Sequence, residues 1–98
     1  MSDAPQERLV GPTVTDPRIA DAVARAIAAD TGAEPVIDSR GGYLRVQLPL
    51  RARMTQASLE EELGVDMPLA RFEQHMPSFA GRIKVSDDEI VWYLEEQP

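Results

Sequence analysis

The chain has no cysteine, a single lysine (Lys84) and a single histidine (His75). Without cysteine there are no disulfides and no thiolate metal ligands, which fits a reducing compartment. One histidine cannot build the usual zinc site, which takes three or four ligands, mostly His and Cys. No H-E-x-x-H, nucleophile elbow or P-loop occurs. No apolar run approaches the roughly 18 residues of a membrane span. Met1-Ser2-Asp3-Ala4-Pro5-Gln6-Glu7-Arg8 has neither the basic region nor the apolar stretch of a signal peptide, so cytoplasm is the expected location. Basic charge is also scarce. The net charge is −7, with −5 of it in residues 51–98. A phosphate-tracking protein needs a basic surface, so nucleic acid is excluded as the expected partner. The acidity favours solubility and steering toward a positively charged partner.

What remains is an ordinary globular composition. At 98 residues and 43% apolar, the chain predicts one domain with a modest core. Residues 1–8 read as a tail and 9–98 as the domain. Leu9–Thr15 predicts a strand, and Pro12, lacking a donor, belongs at an edge or near the strand start. Asp16-Pro17 starts a helix. Ile19, Val23 and Ile27 with Ala20, Ala22 and Ala26 give it one apolar stripe. Gly32 ends it. Strands follow over 34–39 and 43–48, joined by Gly41-Gly42, which suits a two-residue hairpin turn. In the second of them Leu44, Val46 and Leu48 share one face, and Tyr43, Arg45 and Gln47 the other.

Thr55 caps a helix over 56–63, closed by Gly64, with Glu60, Glu61 and Glu62 as its solvated side. A shorter helical piece runs from Asp66-Met67-Pro68 to about Gln74, and Pro77 stops it. Ser78-Phe79-Ala80-Gly81 reads as a corner. A last hairpin pairs 82–85 with 90–94 across the acidic turn Ser86–Glu89, with Ile83, Val85, Ile90, Trp92 and Leu94 inward and Tyr93 exposed. The fold class predicted is α+β: two tandem β-α-β-β-like units, helices packed on a mostly antiparallel sheet.

The chemistry-bearing residues have plain structural readings beside functional ones. Asp87-Asp88-Glu89 lacks the spacing and glycine of a calcium loop and favours the turn itself. Trp92, in phase with Ile90 and Leu94, is core rather than a base-stacking platform. Met54, Met67 and Met76 suit core filling as well as an adaptable contact surface. Gly81 permits close backbone approach.

A family resemblance rests on an ordered set of motifs. The strongest part is Phe72-Glu73, then Ser78-Phe79-Ala80-Gly81-Arg82-Ile83, the acidic turn, and Ile90-Val91-Trp92-Tyr93. Val10-Gly11-Pro12, Tyr43-Leu44-Arg45-Val46 and Leu59-Glu60-Glu61-Glu62-Leu63-Gly64 support it. The chain resembles the effector (coupling, or regulatory) proteins of soluble bacterial multicomponent diiron monooxygenases, which serve toluene, phenol, alkene and methane hydroxylases. It departs from them at Gln74, at His75, where many members have asparagine, and at Pro77. The resemblance implies a non-catalytic protein without metal or organic cofactor. Its implied partner is a diiron hydroxylase, in a system that also holds a reductase and a ferredoxin. It implies control of oxygen activation, substrate access and the coupling of NADH oxidation to hydrocarbon hydroxylation or epoxidation. The isolated chain is expected to be a monomer. The hydroxylase-contact candidates are His75, Met76, Ser78, Phe79, Gly81 and Arg82, with Phe79 as apolar anchor and Arg82 as charged rim. The alternatives are a stand-alone small-molecule binding or sensor domain and a small enzyme.

Overall fold

A computed structural model of the chain describes residues 8–94. The expected tail, except Arg8, lies outside the described residues, as do residues 95–98. The fold is α+β, as predicted. The first unit is β1 (Leu9–Val14), α1 (Pro17–Thr31), β2 (Val36–Arg40) and β3 (Tyr43–Pro49). The second is β4 (Arg51–Thr55), α2 (Gln56–Leu63), α3 (Leu69–Glu73), β5 (Ser78–Ala80), β6 (Arg82–Val85) and β7 (Glu89–Tyr93). The strands divide between two sheets, in the orders β2-β3-β1-β5 and β4-β7-β6, and every pairing is antiparallel. In each unit the opening strand pairs with the last strand of the following hairpin, and the middle strand lies beyond it. Strand β5 is the exception: it leaves its own unit and pairs with β1.

Local chemistry sets the helix ends. The Asp16 carboxylate accepts from the backbone N–H of Arg18 at 2.8 Å and of Ile19 at 3.4 Å, and Pro17 occupies the first turn. Such a cap contributes about 1 kcal/mol. Gly32 closes α1 at φ 90, with its N–H donating to the Ala28 carbonyl. Thr55 Oγ1 accepts from Ser58 N at 3.1 Å to cap α2. Ile19, Ala20, Ala22, Val23, Ala26 and Ile27 of α1 are buried. The three alanines among them let the helix lie close against β4 and α2 as well as against its own sheet.

The units are sewn together at the end of α1. Asp30 accepts from Thr55 N at 2.8 Å, Thr55 Oγ1 at 3.0 Å and Ser58 Oγ at 2.8 Å. Beside it, Thr31 Oγ1 accepts from Arg53 N at 2.9 Å and donates to Arg53 O at 3.2 Å.

Six expectations need correction. Ser78-Phe79-Ala80, expected as a corner, forms the short strand β5. Tyr93, expected to be exposed, is half-buried in the last strand, β7, which lies between β4 and β6. Strand β4 was not foreseen, although Ala52 and Met54 point inward and Arg51 and Arg53 outward with strand periodicity. Pro12 is neither at an edge nor at a strand start. It is fully buried in β1, between β3 and β5. The β1–β3 pairing runs on both sides of Gly11-Pro12 but not through them, and that gap absorbs the missing donor. Val85 is 45% exposed rather than inward, because it ends the edge strand β6. Glu60 leaves the solvated run. Its carboxylate, half-buried, accepts from Met67 N at 2.7 Å and Gln56 Nε2 at 3.1 Å, tying down the approach to α3.

Candidate functional site

Alternation along β3 puts Tyr43, Arg45 and Gln47 on the face of the first sheet turned away from the core. Thr13 lies directly opposite Arg45 on one side and Ser78 on the other. Arg40 lies opposite Tyr43. Together with Pro77, Phe79 and Ala80 these residues line an open cleft of about 570 Å³. Its charged side chains are two guanidiniums, in a protein whose net charge is −7. Arg40 Nε lies 3.1 Å from Asp38. Tyr43 is half-exposed, and Phe79 is 40% exposed, so both offer apolar surface at the cleft.

The structure brings Ser78 and Phe79 into this cleft. His75 and Met76 sit just before it, half-buried in the turn that leaves α3, where His75 N–H donates to the Phe72 carbonyl at 2.8 Å. Met76 packs against the core. Gly81 lies past the end of β5 at φ 89. A Cβ there would stand 2.6 Å from Val10 Cγ1 and 2.8 Å from the Tyr93 carbonyl, so the close approach its sequence setting predicts is met within the chain itself. Arg82 is exposed and starts β6, in the other sheet. The candidates therefore span the passage from one sheet to the other.

Thr13, Arg40, Tyr43, Arg45 and Gln47 were not among the candidates. Their shared face with Tyr43 and Gln47 was readable from alternation for Arg45. Their meeting with Ser78 and Phe79 depends on β5 crossing to β1. On the second sheet, the Arg53 guanidinium bonds Glu89 at 2.6 Å. That hydrogen bond, and then the carboxylate's charge, raise its pKa above the ordinary value. Among the described residues, no cluster of three or more His, Asp or Glu could hold a metal ion, and no helix is long and apolar enough to cross a membrane.

Residues 8–93 match the family model described as the MmoB/DmpM family. The chain belongs to the MmoB/DmpM family. It is 42% identical over 94 residues to the effector subunit of the alkene monooxygenase system of Xanthobacter autotrophicus (strain ATCC BAA-1158 / Py2), covering 95% of this chain and 93% of that protein. Among solved structures, a chain of the phenol hydroxylase–regulatory protein complex superimposes with a TM-score of 0.72 at 22% identity, covering 89% of this chain and 99% of that one. The soluble methane monooxygenase regulatory protein B superimposes with a TM-score of 0.63 at 14% identity, covering 97% of this chain and 69% of that one. At these identities the two structures establish the MmoB/DmpM fold alone. With its relatives named effector and regulatory proteins, this MmoB/DmpM member is a regulatory component of a monooxygenase system and not a catalytic subunit.

Proposed function

We propose that the chain, acting as a single domain over residues 9–98 in the cytoplasm, binds the diiron hydroxylase of a multicomponent monooxygenase and regulates its chemistry. The reading is carried by the 42% identity, over 94 residues, to an alkene monooxygenase effector. That relative makes alkene epoxidation the first reaction to assay. A reductase and a ferredoxin supply electrons in the system envisaged, and the effector enters it as a monomer.

The physical requirement on such a protein is differential binding. It must hold one hydroxylase conformation more tightly than another, and it shifts their populations only by that difference. Moving a 1:99 population to 99:1 takes about 5.5 kcal/mol. A rigid surface suits this task, because a soft one would adapt to both states. The cleft beside β5 supplies candidate contacts of the right kind: Phe79 as apolar anchor, Ser78 as polar neighbour, and His75 and Met76 at its approach. Gly81 holds β5 in place and Arg82 extends the surface onto the second sheet. Arg40, Tyr43 and Arg45 join the set, since arginine and tyrosine dominate many interfaces.

The test is a reconstituted hydroxylase, reductase and ferredoxin assay titrated with this chain. Product rate and product formed per NADH are both expected to rise. If neither changes, the proposal fails. Phe79→Ala is expected to lower that stimulation about tenfold at subsaturating effector. Its melting temperature should stay near that of the parent, because Phe79 lies outside the buried core.

A further inference from the structure

The contact candidates follow a helix that cannot hold its own start. Helices α1 and α2 each carry a side-chain cap, and α3 does not. It is five residues long, and isolated helices of that length do not hold in water. Its N-cap residue is Pro68, whose side chain has no acceptor to offer the N–H groups of the first turn. Arg71 N–H and Phe72 N–H donate to the Pro68 carbonyl at 2.9 and 3.0 Å, and Leu69 and Phe72 are buried.

Acceptors for the head of α3 come from α2. One oxygen of the Glu60 carboxylate accepts from Met67 N at 2.7 Å and from Gln56 Nε2 at 3.1 Å. With its amide nitrogen so engaged, Gln56 turns Oε1 to accept from Leu69 N at 3.3 Å. Gln56 and Glu60 stand four residues apart, on one face of α2. Their backbone is itself anchored: Thr55 caps α2, and Gln56 N–H donates to the Asp88 carbonyl at 2.8 Å. Both side chains are half-buried, where a carboxylate bond to a peptide N–H counts for more than in water. The rest of the acidic run behaves otherwise. Glu61 is exposed, and Glu62 reaches toward Arg25 at 3.9 Å.

From α3 the chain runs directly into the contact candidates. His75 N–H donates to the Phe72 carbonyl at 2.8 Å and Met76 N–H to the Glu73 carbonyl at 3.2 Å. Pro77 follows, and Ser78-Phe79-Ala80 pair with β1. Residues 67–80 are therefore fixed at the head by the α2 pair, in the core by Phe72, and at the tail by a strand of three residues. We propose that Glu60, with Gln56, is a positioning residue for hydroxylase binding. The pair is a cap supplied from α2 that holds α3, and through α3 it presents His75, Met76, Ser78 and Phe79 in their docking arrangement. The inference rests on the function proposed above. A segment ordered beforehand loses less freedom on docking. Apparent affinity scales with the fraction of chains already in the competent arrangement. The pair therefore sets how much effector is needed and leaves the stimulation at saturation unchanged.

The experiment compares Glu60→Ala, Glu60→Gln and Glu61→Ala with the parent, by amide exchange and by titration of the purified hydroxylase, at a temperature where melting curves show every variant folded. Glu60→Ala is expected to quicken exchange about tenfold at Met67, Leu69 and onward to Ala80, with no change in α1 or β3. Its affinity for the hydroxylase should fall about tenfold, while its stimulation at saturation matches the parent's. Glu60→Gln keeps an oxygen acceptor and should stay within about threefold of the parent in both measurements. Glu61→Ala removes the same charge one residue on and should match the parent. Parent-like binding by Glu60→Ala, with or without quickened exchange, overturns the inference and leaves the proposed function standing. Equal losses of affinity in all three variants overturn it as well, by making the acidic run a charged contact with the hydroxylase. A parent chain that fails to bind the hydroxylase removes both.

Discussion

Residues 9–49 and residues 51–93 repeat one strand order, but their interiors are made of different material. The first unit has a 15-residue helix, and apart from Pro12 and Thr13 its buried side chains are alanine, valine, isoleucine and leucine. The second has helices of 8 and 5 residues and, apart from Ala52, fills its interior with large side chains: Met54, Leu59, Met67, Leu69, Phe72, Ile90 and Trp92. A long helix carrying small residues can approach a sheet and exclude water by contact along its length. Short helices leave more space, which large side chains must occupy. One topology therefore tolerates two packing solutions. The unit with less helix is also the one that releases a strand, β5, to the neighbouring sheet, and that strand lines the candidate site.

The comparison breaks most severely at Gly11. Its φ is 141, and a Cβ there would lie 2.0 Å from the Val46 carbonyl oxygen. Gly11→Ala is expected to cost about 4 kcal/mol or more, collapsing the first sheet and the cleft with it. Gly41→Ala, at φ 53 with nothing within 4 Å of the added Cβ, carries the left-handed strain without the clash and serves as the control, expected to cost about 1 kcal/mol. Denaturant unfolding of both variants checks the contrast. Next comes Phe72→Ala, expected to cost about 3 kcal/mol. Val23→Ala, its counterpart in the first unit, should cost less because it removes fewer buried atoms. Equal losses would show that the two interiors respond alike, against the packing argument. Smallest is Asp30→Ala, which strips three hydrogen bonds from the seam between the units. A loss of about 2 kcal/mol is expected. Amide exchange at Thr55 should quicken before exchange in either sheet interior.

Much of this architecture was readable because its signals are local. Asp16-Pro17, Gly32, Gly41-Gly42, Thr55 and Gly64 each mark an end or a turn through their own backbone chemistry, and the elements start and stop there. Alternation identified the wet face holding Tyr43, Arg45 and Gln47. Strand β4 escaped because it is five residues long with only Ala52 and Met54 inward, and because Thr55 serves as both its last residue and the cap of α2. The division into two sheets escaped for a different reason. It depends on crossings at Leu50 and Gly81, whose neighbours lie far away in sequence. The cleft is legible only once β5 is known to pair with β1, so Ser78 and Phe79 could be nominated from a motif while Thr13 and Arg40 could not.

Leu50 N–H donates to the Arg8 carbonyl and its own carbonyl accepts from Leu94 N, a grip with a topological consequence. One residue's peptide groups hold the first and last described positions, so the chain is nearly a closed ring. A short bridge from 94 to 8, with new ends cut at Gly41-Gly42, should give a circular permutant with both sheets intact.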